Sequence, residues 1–109
     1  MLKLLPSVLS ADFANLGRDL ACIQKAGVTM VHVDVMDGSF VPSISLGFPV
    51  IRSMRKVSDL FFDVHLMVDE PGRYLKEVKE AGADRIGVHV EACKHLHRTL
   101  QQIRALGCE

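Results

Sequence analysis

Short apolar runs alternate along this chain with segments whose apolar residues recur every three or four positions. Four runs, residues 4–9, 30–36, 60–68 and 85–90, are rich in Val, Ile, Leu and Phe and are bounded by Gly, Pro or Asp. Runs of that length and composition predict strands. Four stripes lie among them: Leu16, Leu20 and Ile23; Val50, Met54 and Val57; Leu75 and Val78; Leu96, Leu100 and Ile103. Spacing of this kind gathers side chains on one face of a helix. Pro49 and Pro71 precede two of the stripes, and proline suits a first helical turn because the N–H it lacks has no intrahelical partner there. Gly27, Gly82 and Gly107 stand where three helices should stop, at a position that favours a left-handed residue.

The predicted order is βαβαβαβα, with no linker and no low-complexity tract, so residues 1–109 are expected to form one domain. Such alternation calls for parallel strands joined by right-handed crossovers. An internal repeat supports it: Ala26 through Val35 aligns without gaps on Ala81 through Val90, each copy a helix stop followed by a buried strand. A further helix stop, Ala105-Leu106-Gly107, should introduce a fifth strand, and two residues follow it. Four βα units fit either a small open α/β sheet or the first half of a TIM (β/α)8 barrel, truncated before its fifth strand. An open sheet of the dinucleotide-binding kind would carry a Gly-rich loop after its first strand, and none is present.

Composition narrows the partners. Apolar residues make up 49% and charged residues 24% of the chain, and 13 acidic residues balance 13 basic ones. Zero net charge argues against a nucleic-acid partner, which selects a basic excess or stripe. No apolar run approaches the ~18 residues needed to cross a bilayer, so no membrane partner is expected. Pro6 and Ser7 break the apolar start after two leucines, which speaks against a secretion signal. Cys22, Cys93 and Cys108 are odd in number and widely spaced, so reduced thiols and a cytoplasmic location are expected.

The candidate chemistry lies on strand faces. Residues two apart share a face, so His32 joins Asp34, and Asp63 joins His65 and Met67; the last run places His89 beside Glu91. Parallel strands are usually covered on both faces, where ionisable groups are costly unless paired or metal-bound. Barrel enzymes place their chemistry at the C-terminal ends of the strands, where these groups cluster. A lone strand histidine is ordinarily satisfied by a carboxylate or a backbone group. Two imidazole–carboxylate pairs on neighbouring strands raise the weight of a metal site, and such ligands suit Zn²⁺, Fe²⁺, Mn²⁺ or Co²⁺ without choosing among them. Asp63 and His89 are expected to support the site or to pack beside it. Cys93, His95 and His97 read as the start of a solvated helix, Met36 and Met67 as strand-end residues where a pocket opens, Asp37-Gly38 as a turn, and the uncharged segment 39–47 as a mobile loop over the site.

Several stretches in order resemble the ribulose-phosphate 3-epimerase family. They are Pro6-Ser7-Val8-Leu9-Ser10-Ala11-Asp12-Phe13, His32-Val33-Asp34-Val35-Met36-Asp37-Gly38, Phe40-Val41-Pro42, Asp63-Val64-His65-Leu66-Met67-Val68 and His89-Val90-Glu91-Ala92. The resemblance covers essentially the whole chain and implies a (β/α)8 barrel of which this chain supplies the first half. It implies that His32, Asp34 and His65 hold one divalent metal ion, that Asp34 is also one of two proton-transferring acids, and that Ser7, His65, Met36 and Met67 contact a small sugar phosphate. The implied reaction interconverts D-ribulose 5-phosphate and D-xylulose 5-phosphate by metal-assisted proton transfer at C3, in a cytoplasmic homo-oligomer of the pentose phosphate pathway. Ser39 and Ser43 depart from the His and Asn usual in the family. The fourth metal ligand, an Asp that is also the second acid, falls beyond residue 109, so the chain alone is expected to be nearly inactive. Alternatives are an epimerase of allulose 6-phosphate, an inactive half-barrel fragment that associates through its strand edges, and a metal-binding protein without turnover.

Overall fold

Val31, Val33 and Val35 alternate with His32 and Asp34, so a strand through them must offer an apolar face and a polar one. The structure, a computed structural model, describes residues 1–109 and bears this alternation out. In chain order the elements are α1 (Leu16–Lys25), β1 (Met30–Met36), α2 (Phe48–Val57), β2 (Phe61–Met67), α3 (Leu75–Ala81), β3 (Arg85–Gly87) and α4 (Leu96–Ala105). The three strands form one parallel sheet in the order β1-β2-β3. This is an α/β sheet of βα units, consistent with the N-terminal half of a TIM barrel.

The helices cover one face of the sheet. Val31, Val33, Val35, Phe62, Val64, Leu66 and Ile86 point toward them and meet Leu20, Ile51, Met54, Leu75, Val78 and Ile103 in a continuous apolar core. Burying each of these side chains stabilises the fold by roughly 1.5–3 kcal/mol. Leu20, Met54, Leu75, Val78 and Ile103 of the helical stripes are buried as expected, whereas Val57 and Leu100 are exposed. Pro49 lies in the first turn of α2, and Gly82 caps α3 with φ 128°. The opposite face carries His32, Asp34 and Met36 of β1 and Phe61, Asp63, His65 and Met67 of β2; all but Asp34 are only half-buried. The expectation of cover on both faces therefore fails within these 109 residues: helices cover one side, and the polar side opens toward solvent.

Two predicted strands come out shorter. Residues 4–9 make a single parallel bridge, Ser7 to His32, fixed by the His32 N–H donating to the Pro6 carbonyl at 2.9 Å. Pro6 has no N–H to extend the ladder, and Ser7 then caps a 3-10 turn over Val8–Ser10 by accepting from the Leu9 N–H. Residues 85–90 form a ladder only through Gly87, because Val90–Ala92 curls into another 3-10 turn. On the far edge of β3, the Glu109 N–H donates to the Asp84 carbonyl and its carbonyl accepts from the Ile86 N–H. Glu109 thus takes the ladder position beside Arg85, where the helix-stop repeat places a further strand.

One polar tie joins the opposite, N-terminal ends of the strands. The Arg55 guanidinium donates to the carbonyls of Ser58, Leu60 and Gly82 and to the Asp84 carboxylate, at 2.6–3.1 Å. It also lies 3.8 Å over the Phe62 ring. This fork closes the α2–β2 and α3–β3 connections together.

Candidate metal centre

Parallel register decides which polar groups meet. Asp34 pairs with His65, His32 with Asp63, and Met36 with Met67, while Ser7 bridges to His32 from the other side. The sheet therefore carries a row Ser7–His32–Asp63 and, one step nearer the C-terminal ends, a row Asp34–His65, with the two methionines beyond. His32, Asp34 and His65 each present a ligand atom, and these atoms lie within 4.8 Å of one another.

Asp34 is the centre of the group and is 8% exposed. Its Oδ1 lies 3.0 Å from His32 Nε2 and 3.0 Å from His65 Nδ1, and its Oδ2 accepts from the Ser7 hydroxyl at 3.1 Å. The carboxylate is thus divided, with one oxygen facing two imidazoles and the other facing a hydroxyl. Each imidazole is engaged on its second nitrogen as well. His32 Nδ1 sits 2.8 Å from Asp63 Oδ2, and His65 Nε2 sits 2.6 Å from His89 Nε2. No buried side-chain nitrogen or oxygen lacks a partner. Two nitrogens and a carboxylate converging from adjacent strands make a donor set suited to a divalent transition metal.

Every residue expected at the site is placed on the polar face. Ser7, Met36 and Met67 border the group at its edge and at the strand ends, and Asp63 holds His32 as the sequence suggested. Cys93, His95 and His97 are not gathered: His95 and His97 are exposed at the start of α4 and join no ligand group.

Two features escaped the reading of the sequence. Ser45 donates its hydroxyl to the Asp34 carbonyl at 2.6 Å and accepts from the Met36 N–H at 3.0 Å, fastening the 39–47 loop against β1. Phe40 packs against the His89 ring in a tilted arrangement, with centroids 5.1 Å apart and planes at 47°. Nothing in an uncharged loop marks one serine among several, so only a fold could single Ser45 out.

Asp37 knots this loop to the next one. Its carboxylate accepts from the Ser39 and Phe40 N–H groups and from the Asp69 N–H, each at 2.9 Å, and the Ser39 hydroxyl donates to the Asp69 carboxylate. Bonds from the Asp69 and Ser39 amides hold the Asp37 carboxyl below its ordinary value of 3.8. A depressed folded pKa means that this knot is at full strength above the ordinary carboxylate range and is lost as pH falls through the folded value. A carbon-detected titration of Asp37 should therefore show its midpoint below 3.8; a midpoint at or above it would remove the knot.

The model of the ribulose-phosphate 3 epimerase family matches residues 3–109. Ribulose-phosphate 3-epimerase of Bacillus subtilis (strain 168) is 51% identical over 107 residues, covering 98% of this chain and 49% of the relative. The chloroplastic ribulose-5-phosphate-3-epimerase of Arabidopsis thaliana is 48% identical over 106 residues, covering 95% and 38%. The Aquifex aeolicus (strain VF5) ribulose-phosphate 3-epimerase is 41% identical over the full 109 residues, 49% of its own length. The chain spans about half the length of the curated relatives it matches. With a family match over nearly every residue, this chain belongs to the ribulose-phosphate 3 epimerase family.

Proposed function

We propose that this protein interconverts D-ribulose 5-phosphate and D-xylulose 5-phosphate by moving the proton on C3, with Asp34 as one of the acids that carry it. The observation behind this reading is the divided carboxylate: Oδ1 faces His32 and His65 while Oδ2 faces Ser7. His32 Nε2, Asp34 and His65 Nδ1 would hold one divalent ion of Zn, Fe, Mn or Co. Such an ion, when bound, lowers the cost of the negative charge that develops on the sugar's oxygens as the C3 proton leaves.

The chain's own residues do the rest. Asp34 Oδ2 takes the proton from one side of the sugar, and the Ser7 hydroxyl orients that oxygen through its hydrogen bond. His65 borders the substrate as well as the ion, and Met36 and Met67 form an apolar wall beside the reacting carbon. Inversion needs a second acid on the opposite side. Asp63, the other carboxylate on this face, projects from the neighbouring strand on the same side as Asp34 and is held by His32, so it does not supply an acid on the opposite side. On their own these 109 residues exchange the C3 proton and accumulate little xylulose 5-phosphate.

Incubation of the Mn²⁺-loaded chain with ribulose 5-phosphate in heavy water tests this. Deuterium should enter at C3 faster than in a control with Asp34→Asn, with little epimer formed. No exchange above buffer would remove the proton-transfer role, and faster exchange with allulose 6-phosphate would move the substrate to the six-carbon sugar.

A further inference from the structure

We infer that His89 is a positioning residue that decides which ring nitrogen of His65 is free to bind a cation. The inference rests on the reading above that His32, Asp34 and His65 hold a divalent ion. His89 lies outside that group of three, so its effect passes through His65.

A neutral imidazole carries one N–H, and the nitrogen without it supplies the lone pair. His65 turns Nδ1 toward Asp34 Oδ1 at 3.0 Å and Nε2 toward His89 Nε2 at 2.6 Å. Two arrangements compete. With the hydrogen on Nδ1, His65 donates to Asp34 and has no lone pair for an ion beside that carboxylate. With the hydrogen on Nε2, Nδ1 is free, and Nε2 requires an acceptor within reach. His89 Nε2 is the atom that stands there. It accepts when the His89 hydrogen sits on Nδ1, and Glu91 Oε2 lies 3.6 Å from that nitrogen. The close contact with His89 thus supports the metal-ready form of His65, and Glu91, beyond hydrogen-bond distance, adds only its negative charge beside the His89 Nδ1 hydrogen.

His32 shows the same logic in a shorter form. Its Nδ1 meets the Asp63 carboxylate at 2.8 Å, leaving Nε2 to face Asp34. Outer partners of this kind orient ligand imidazoles and fix their tautomers. One site histidine is held directly by a carboxylate, and the other by an imidazole.

The fold delivers His89 to this place. His65 pairs with Gly87, and His89 follows two residues later in an extended conformation, just before the Val90–Ala92 turn. Its ring is packed between two others, with the His65 centroid at 4.8 Å and the Phe40 centroid at 5.1 Å. The 39–47 loop therefore holds the ring that holds the ligand.

The test compares Zn²⁺ titrations of the chain with those of His89→Leu and His89→Gln at one pH, with circular dichroism to check the fold. Leucine removes the acceptor and keeps an apolar packing partner, whereas the glutamine amide oxygen can still accept from Nε2–H. The leucine variant should bind Zn²⁺ roughly 10–100-fold more weakly, and the glutamine variant should stay within about threefold of the parent. Long-range proton–nitrogen NMR of the Zn²⁺-loaded parent should show His65 protonated on Nε2, a reading that needs no variant to fold. Equal affinity in a folded leucine variant, or equal losses in both variants, would overturn the assignment and leave the metal site standing, whereas a His65 protonated on Nδ1 would remove that nitrogen as a ligand and this inference with it. Failure of the parent to bind Zn²⁺ would overturn the metal site and this inference with it.

Discussion

Replacing Asp34 with Asn should cost this chain both its cation and its proton chemistry. The substitution keeps the shape of the side chain and removes its charge. Asp34 Oδ1 is the one atom that both imidazoles face, at 3.0 Å each, and the group is nearly buried. Without the carboxylate, two neutral nitrogens remain as strong donors, too few for tight binding of a divalent ion. Zn²⁺ affinity should fall at least about 100-fold, beyond the range expected for loss of an outer partner alone. The same change removes the carboxylate proposed as the base, and general-base groups contribute roughly 10²–10⁴-fold to such reactions. Deuterium exchange at C3 of ribulose 5-phosphate should therefore fall by at least that factor, while far-UV dichroism stays unchanged. Exchange within tenfold of the parent would show that some other group takes the proton.

Much of this site can be read from the chain because strand geometry is simple. His32 and Asp34 are two apart, as are Asp63 and His65, and parallel neighbours in one sheet must bring such pairs side by side. What the period of two leaves open is the register between strands, which sets Asp34 opposite His65 and His32 opposite Asp63. A shift of one residue would have pointed His65 and Asp63 into the apolar core, so burial of Val64 and Leu66 selects the register that assembles the site. The helices were legible for the same reason, since their stripes match the buried positions Leu20, Met54, Val78 and Ile103.

Strand ends and loops were harder to read. Residues 4–9 and 85–90 have strand-like composition, yet ladder formation depends on donors and neighbours that composition does not encode. Pro6 removes a donor on one edge, and the turn at Val90–Ala92 ends the other strand early. The Ser45 and Phe40 contacts depend on where a loop lands after it leaves β1. Phe40 is placed by the Asp37 knot, whose three amide partners come from two different loops, and Ser45 by the antiparallel bridge between Asp37 and Ile44.

The largest stability effect should come from the other end of the sheet, at Arg55. Its guanidinium satisfies three carbonyls and the Asp84 carboxylate and covers the Phe62 ring. Methionine at this position would preserve much of the apolar stem and leave three carbonyls without the guanidinium, while Asp84 Oδ2 would keep only the Phe62 N–H. The Arg55 side chain is 28% exposed and Asp84 is 38% exposed, so water offsets part of the loss and a fully buried pair is the wrong comparison. Urea unfolding of Arg55→Met should still show a loss of about 2–4 kcal/mol. Arg55→Lys should recover less than half of it, because an ammonium cannot span four acceptors in fork geometry. Gly82→Ala should also destabilise, since φ is 128° and an added Cβ would clash with Arg55 Cδ. Part of that cost is the clash with Arg55, so it should shrink when Arg55 is already Met, and the two changes should not add. Zn²⁺ affinity should survive in Arg55→Met, because the fork lies at the N-terminal ends of the strands and the ligands lie toward the C-terminal ends. Loss of metal binding in a folded Arg55→Met chain, or a stability change under 0.5 kcal/mol, would break this separation between what holds the sheet together and what it presents.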